Sequence, residues 1–225
     1  MGRDKALLPT PEGPLLLRIC GIAKATGLQV IVSGRDRPVK WPDDDVSFFR
    51  DRYEDAGPLA GIESALAACG CDVLAIGCDM PLMTAPAIEW LWQQAMASQD
   101  EFGVAPLNDG RPEPMFSLYR RGVVAELERR IRAGNLALMP LVRSEQFAHP
   151  PVPPLVRNAL ANVNTPEEFA AISFGAVGDH RQEEPSLSEQ TPTNYRCDSI
   201  SAGSHPRHPP GGYPAPEGMG QEGNG

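Results

Sequence analysis

The stretch that most constrains the fold is Asp72–Pro81, in which an apolar run ends abruptly in small and polar residues. Val73–Ile76 shows no polar alternation, which is typical of a strand buried on both faces of a parallel sheet. Asp79 follows this strand, and Pro81 cannot extend its hydrogen-bond ladder. Because open α/β sheets bind ligands at the carboxyl ends of their strands, Asp79 is placed to hold a divalent metal or a ribose. The alternative role for Asp79 is an N-cap of the helix that begins near Thr84.

Helical and extended patterns alternate on both sides of this stretch. The spacing of apolar residues predicts helices over Pro14–Thr26, Ile62–Ala68, Ala85–Ala97 and Val123–Ile131, and strands over Leu28–Val32, Val46–Phe49, Glu101–Pro106 and Met115–Tyr119. Such an alternation predicts an α/β fold with a mostly parallel sheet and helices on both faces.

Polar residues end three of the predicted strands, namely Ser33, Asp51 and Asp79. The carboxyl ends of parallel strands share one edge of a sheet, where Lys5 and the loop Gly57–Gly61 are expected to join them. A lysine neutralises phosphate charge, an aspartate holds a hard cation, and small residues let backbone amides approach a ligand. The edge therefore suits a nucleoside triphosphate with magnesium. The structural alternatives are a solvated Lys5 and an ordinary loop at Gly57–Gly61.

Composition narrows the class of protein. With 225 residues and 41% apolar content, the chain can bury one good core, and we predict a domain over residues 1–173. Residues 174–225 are rich in Pro, Gly, Ser and Gln, which predicts a disordered tail. The net charge of −9 argues against a nucleic-acid partner. No apolar run is long enough to cross a bilayer, which argues against a membrane partner. An odd number of cysteines and no secretory signal pattern predict a cytoplasmic protein.

Five motifs, taken together, resemble the molybdenum cofactor guanylyltransferase family. They are Met-Gly-Arg-Asp-Lys-Ala-Leu-Leu at Met1–Leu8, Gly-Pro-Leu-Ala-Gly at Gly57–Gly61, Cys-Asp-Met-Pro at Cys78–Pro81, Asp-Gly-Arg-Pro-Glu-Pro at Asp109–Pro114 and Asn-Val-Asn-Thr-Pro-Glu-Glu at Asn162–Glu168. The resemblance implies a Rossmann-like nucleotidyltransferase fold, a three-layer sandwich. It implies transfer of GMP from GTP to molybdenum-molybdopterin with release of pyrophosphate. Molybdopterin-synthesis proteins and recipient molybdoenzymes are the partners it suggests.

The resemblance also implies a role for each matched residue. Lys5 matches the signature lysine that contacts the triphosphate, and Asp79 matches the ligand of Mg²⁺; both are expected to be catalytic. Asp51 matches an acid near the guanine or the ribose. Ser33 stands where the family often has asparagine, so a contact with the nucleotide is expected there in altered form. The resemblance assigns the pterin side of the pocket to Arg111, Asn162 and Asn164.

One departure from the family pattern concerns the beginning of the sequence. The family has a first strand and a Leu-Ala-Gly-Gly loop ahead of its Arg-Met-Gly-x-Asp-Lys signature, and Met1 occupies the internal methionine of that signature. We therefore expect a sheet that lacks its first strand, and we favour a misplaced start codon as the reason. Two other interpretations stay open. One is a cytidylyltransferase, or another nucleotidyltransferase of the same fold, and the other is a truncated, catalytically dead homologue that binds the cofactor or a partner.

Overall fold

The computed structural model describes residues 5–38, 41–162, 168–169 and 171–172, which lie in one compact unit. In these residues the α-helices are α1 Leu15–Ala25, α2 Gly57–Cys69, α3 Ala85–Ala97, α4 Val124–Arg132, α5 Met139–Val142 and α6 Pro154–Arg157. The strands are β1 Pro9–Thr10, β2 Gly13–Pro14, β3 Ile31–Ser33, β4 Ser47–Phe49, β5 Val73–Ile76, β6 Gly103–Val104, β7 Leu107–Asn108, β8 Arg111–Pro112, β9 Phe116–Tyr119 and β10 Phe147–Ala148. The predicted tail of residues 174–225 lies outside the described residues.

The central apolar run forms β5 over the predicted residues, and β5 is one edge of a four-stranded sheet. The order of this sheet is β10-β6-β9-β5. Strand β9 is antiparallel to both β5 and β6, whereas β6 and β10 are parallel. Ile76 at the end of β5 lies opposite Phe116 at the start of β9. The turn that follows β5 therefore lies beside the segment that leads into β9.

Strands β3 and β4 form a separate parallel pair, in which Ser33 lies opposite Phe49. Within the described part of the chain, β3 pairs with β4 alone and β5 pairs with β9 alone. The predicted α/β class is confirmed. The strand directions are mixed rather than mostly parallel, because the β7–β8 hairpin precedes β9 and returns the chain without a helical crossover.

Helices cover both faces of the four-stranded sheet. The core on one face draws on α1, α3 and α6 and takes Phe116 and Leu118 from β9, and the core on the other face draws on α2, α4 and α5 and takes Tyr119. Successive residues of a strand point to opposite faces, so β9 contributes to both cores. Its four residues are buried, which is how a central strand of a three-layer sandwich is expected to look.

Helix α2 begins five residues earlier than its apolar spacing predicts. The predicted loop Gly57–Gly61 is the first part of this helix. Gly57 has a φ of +61°, which glycine adopts at little cost, and a proline in the first turn loses no intrahelical hydrogen bond. The backbone of Gly61 is thereby fixed in a helix rather than left in a loop.

Candidate active site

Ser33 and Asp51 lie in direct contact at the carboxyl ends of β3 and β4. The Ser33 hydroxyl donates a hydrogen bond to Asp51 Oδ1, and its oxygen lies 3.2 Å from the carbonyl oxygen of Gly61 in α2. Because β3 and β4 are parallel, their ends share one edge. The proximity predicted for these two residues is observed.

Two glycines make room for this pair. A Cβ atom on Gly34 would lie 3.3 Å from Asp51 Oδ2, and a Cβ atom on Gly61 would lie 3.4 Å from Ser33 Oγ. Gly34 also has a φ of +81°, a conformation that other L-residues rarely adopt. The Asp51 carboxylate therefore lies against backbone, with little freedom to change its direction.

Asp79 occupies the turn after β5 and is partly exposed. Thr84 Oγ1 accepts a hydrogen bond from the Ala87 amide, so the cap of α3 is Thr84 and the alternative role of Asp79 as that cap is wrong. A Cβ atom on Gly77 would lie 2.6 Å from Asp79 Oδ1, closer than such contacts allow, and 3.3 Å from Met115 Cβ. Glycine at position 77 thus lets the Asp79 carboxylate fold back over the strand end.

A second carboxylate, Glu113, lies near Asp79. Burial raises the pKa of the Glu113 carboxyl, the hydrogen bond that Asn108 Nδ2 donates to it at 3.1 Å lowers that pKa, and the negative charge of Asp79 raises it. Two neighbouring carboxylates repel each other and offer the oxygen ligands that hard divalent cations prefer. In the described residues no group of three or more His, Cys, Asp or Glu side chains forms a metal cluster. The donor set at Asp79 nevertheless fits a cation that takes its remaining ligands from phosphate and water.

A buried arginine links the Asp79 turn to the β1–β2 hairpin. Arg18 in α1 is 9% exposed, and its Nη1 contacts Glu12 Oε1 in the hairpin at 2.7 Å. Its Nε donates to the carbonyl oxygen of Pro81 at 3.4 Å. The guanidinium group therefore connects the β1–β2 hairpin, which precedes α1 in the chain, to the turn that follows β5.

The other predicted site residues lie apart from one another in the chain. Lys5 begins a 3-10 turn, Lys5–Leu7, which leads through the β1–β2 hairpin into α1. Arg111 is exposed on β8, and Asn162 is exposed near the end of the described residues. Asn164 lies outside the described residues. Among the predicted site residues that the structure describes, Ser33 and Asp51 are in direct contact with each other.

Three further residues of this region have no role predicted from the sequence, namely Glu63, Ser64 and Glu113. Glu113 lies within the Asp109–Pro114 motif, and its place in that motif is the sequence signal that could identify it. Glu63 and Ser64 have no sequence signal of their own, because they lie inside a predicted helix and their partner, Arg52, lies in the separate loop that follows β4.

Comparison with known proteins identifies the family. Residues 1–149 match the family model described as "MobA-like NTP transferase domain", which is well over half of the chain. The chain belongs to the MobA-like NTP transferase family. The family predicted from the five motifs is confirmed, and with it the assignment of the chain as a nucleotidyltransferase.

Curated relatives of this MobA-like chain have a consistent description. A "Probable molybdenum cofactor guanylyltransferase" of Opitutus terrae is 30% identical over 176 residues, which covers 75% of this chain and 86% of the relative. The protein of the same description from Pelotomaculum thermopropionicum is 28% identical over 180 residues, covering 75% and 83%.

Solved structures share the MobA-like fold. Molybdopterin-guanine dinucleotide biosynthesis protein A from Archaeoglobus fulgidus matches with a TM-score of 0.61 and 24% identity, covering 75% of this chain and 88% of that one. A cytidylyltransferase from Leptospira borgpetersenii matches with a TM-score of 0.50 and 15% identity, covering 66% and 69%. At these identities the matches show the fold, and they confirm the Rossmann-like nucleotidyltransferase class. Across the part of the chain that the structure describes, no helix has the length and apolarity to span a membrane.

Proposed function

We propose that this chain transfers GMP from GTP to molybdenum-molybdopterin, which yields the guanine dinucleotide form of the cofactor and pyrophosphate. The observation that carries the proposal is the pair of acidic strand ends, Asp51 and Asp79, in a chain of the MobA-like family. The descriptions of its curated relatives support GTP and molybdopterin as the substrates.

The two ends of the GTP molecule are assigned to different residues. We assign the nucleoside to Asp51, whose carboxylate accepts hydrogen bonds, with Ser33 beside it. Lys5 is assigned to the triphosphate, where its ammonium group offsets phosphate charge. Asp79 is assigned to Mg²⁺, which when bound neutralises charge on the transferring and leaving phosphates. The chain's contribution to catalysis is then positioning and electrostatic stabilisation.

The transfer is an in-line displacement at phosphorus. A terminal phosphate oxygen of molybdopterin forms a bond to the α-phosphorus of GTP while the bond from that phosphorus to the bridging oxygen breaks. Pyrophosphate leaves with the bonding electrons, so no protein nucleophile is required. Arg111, Asn162 and Asn164 are assigned to the pterin side, because polar side chains of these types suit its phosphate and amide groups. Of the three, Arg111 and Asn162 lie within the described residues, and both are exposed. We propose the cytoplasm as the compartment, in keeping with the odd number of cysteines in the sequence.

Calorimetric titration with GTP, and with CTP for comparison, in the presence of Mg²⁺ tests the proposal. Binding of GTP in preference to CTP, followed by formation of the dinucleotide cofactor from loaded molybdopterin, is the expected result. Preference for CTP would make the chain a cytidylyltransferase. Binding of molybdopterin with no binding of either nucleotide would make it a cofactor-binding homologue without activity.

A further inference from the structure

A buried carboxylate lies behind the Asp51 loop and has no part in the reaction described above. Glu63 in α2 is fully buried, and its Oε1 accepts a hydrogen bond from Arg52 Nη1 at 2.6 Å. The Arg52 side chain itself is half exposed. The pair therefore joins a residue of the helix interior to the residue that directly follows Asp51.

A second bond holds the same loop by its backbone. Ser64, which is also buried, accepts a hydrogen bond from the Arg52 amide through its Oγ at 2.8 Å. On the other side of Asp51, the Ser33 hydroxyl donates to the Asp51 carboxylate. Asp51 is thus held through its side chain from β3 and through the next residue from α2.

Stability alone does not account for a carboxylate at position 63. Removing a charged group from water is costly, and an apolar side chain of similar volume often packs at such a position with equal or greater stability. Burial raises the pKa of Glu63, the positive charge of Arg52 lowers it, and the negative charges of Glu128 and Asp51 raise it. What the carboxylate supplies is a directed acceptor for one side chain of the loop.

We propose that Glu63 and Ser64 are positioning residues of the nucleotide site, which fix the loop after β4 so that Asp51 meets the hydrogen-bond donors of the nucleoside. This inference rests on the proposed function, because it takes Asp51 as a nucleotide ligand. Glu63 acts on the side chain of Arg52 and Ser64 acts on its amide. The Ser64 hydroxyl also donates to Glu63 Oε2 at 3.4 Å, so the two residues hold the loop as one connected network.

Three variants test this role. Ser64→Ala removes the acceptor of the Arg52 amide, Glu63→Gln keeps an oxygen acceptor in the same shape, and Glu63→Leu removes it at similar volume. Loss of one hydrogen bond corresponds to a rise of about five- to tenfold in the KM for GTP for Ser64→Ala and Glu63→Leu. Glu63→Gln is expected to stay near the wild type. The kcat and the KM for molybdopterin are expected to change little.

A matched control removes an equivalent bond elsewhere. Ser98 Oγ accepts a hydrogen bond from the Asp100 amide at 3.1 Å, so Ser98→Ala deletes a serine acceptor of the same kind away from Asp51. It is expected to leave the KM for GTP unchanged. Melting temperatures show that each variant folds, and Glu63→Leu is expected to melt no lower than the wild type while it binds GTP more weakly.

The outcomes separate the two proposals. Weaker GTP binding in Ser64→Ala and Glu63→Leu, with retention in Glu63→Gln and Ser98→Ala, supports the positioning role. If the wild type binds GTP with Mg²⁺ and all four variants bind it equally well, the positioning role alone is wrong. If the folded wild type does not bind GTP, the proposed function is wrong and the positioning role is overturned with it.

Discussion

Asp51 and Asp79 both follow the end of a β-strand, yet their carboxylates meet different surroundings. Asp51 accepts a hydrogen bond from Ser33, and its loop is bonded to α2 on the far side. Asp79 lies near a second carboxylate, Glu113, whose pKa is raised by burial and by the charge of Asp79. At the proposed nucleoside end, the Asp51 carboxylate thus accepts a hydrogen bond even without a ligand. At the proposed metal end, the charges of Asp79 and Glu113 repel each other, and a bound cation would remove that repulsion. We expect substitutions at the two ends to have different consequences.

The largest effect is expected for Asp79→Asn, which removes the proposed cation ligand. Loss of one electrostatic contact to the transition state lowers kcat/KM by about 100-fold or more. Because the repulsion with Glu113 falls, the metal-free variant is expected to melt no lower than the wild type. Steady-state transferase assays and thermal melting measure both effects. Asp44→Asn, at a carboxylate whose side chain is 98% exposed, is the control and should leave activity unchanged.

Gly77→Ala tests the same end through geometry. The added Cβ would meet Asp79 Oδ1 at 2.6 Å, so the carboxylate must move. A displacement of about 1 Å in a catalytic group corresponds to a loss of roughly 100-fold in activity. Gly21→Ala is the matched control, since a Cβ there meets no atom within 4 Å, and it should retain activity and gain stability. Full activity of Gly77→Ala would show that the position of Asp79 does not matter.

Asp51→Asn probes the proposed nucleoside end. The amide keeps the size of the side chain but loses its charge, and a hydrogen bond to a charged acceptor corresponds to roughly 10- to 100-fold in binding. We expect the KM for GTP to rise by that factor and kcat to change less, as measured by varying GTP at saturating molybdopterin. A fall in kcat with an unchanged KM would place Asp51 at the reacting phosphate instead.

The smallest expected effect is a pH dependence of stability. A carboxyl whose pKa is raised by folding stabilises the fold while it is protonated, and that contribution is lost as pH rises through its folded pKa. Glu113→Gln should therefore raise the melting temperature of the metal-free protein at neutral pH by roughly 2–4 °C. The difference should disappear below the ordinary glutamate pKa of 4.5. An equal difference at both pH values would mean that charge is not its cause.

Parts of the fold and site that depend on short-range pattern could be predicted from the sequence. The apolar run predicted β5 and placed Asp79 in the turn that follows it. The shared edge of parallel strands predicted that Ser33 and Asp51 lie close together. The bounds of helix α3 were predicted from its apolar spacing. The first turn of α2 was predicted as a loop, because glycine and proline break helices in general but are tolerated at a first turn.

The remaining features depend on pairings between distant residues. Glu113 lies near Asp79 because β5 and β9 pair antiparallel, a register that neither segment reveals alone. Glu63 is a buried carboxylate because α2 packs under the Asp51 loop, whereas its own helix would suit an exposed side chain. No local pattern in the sequence encodes either contact.

The most direct test of two separately held ends is calorimetric titration of GTP, with and without Mg²⁺, into the wild type, Asp51→Asn and Asp79→Asn. We predict that Mg²⁺ strengthens GTP binding by the same factor in the wild type and in Asp51→Asn, although Asp51→Asn binds more weakly in both conditions. In Asp79→Asn the effect of Mg²⁺ should vanish. An undiminished effect of Mg²⁺ in Asp79→Asn would contradict the assignment of the metal end, and with it the division of the site into two ends.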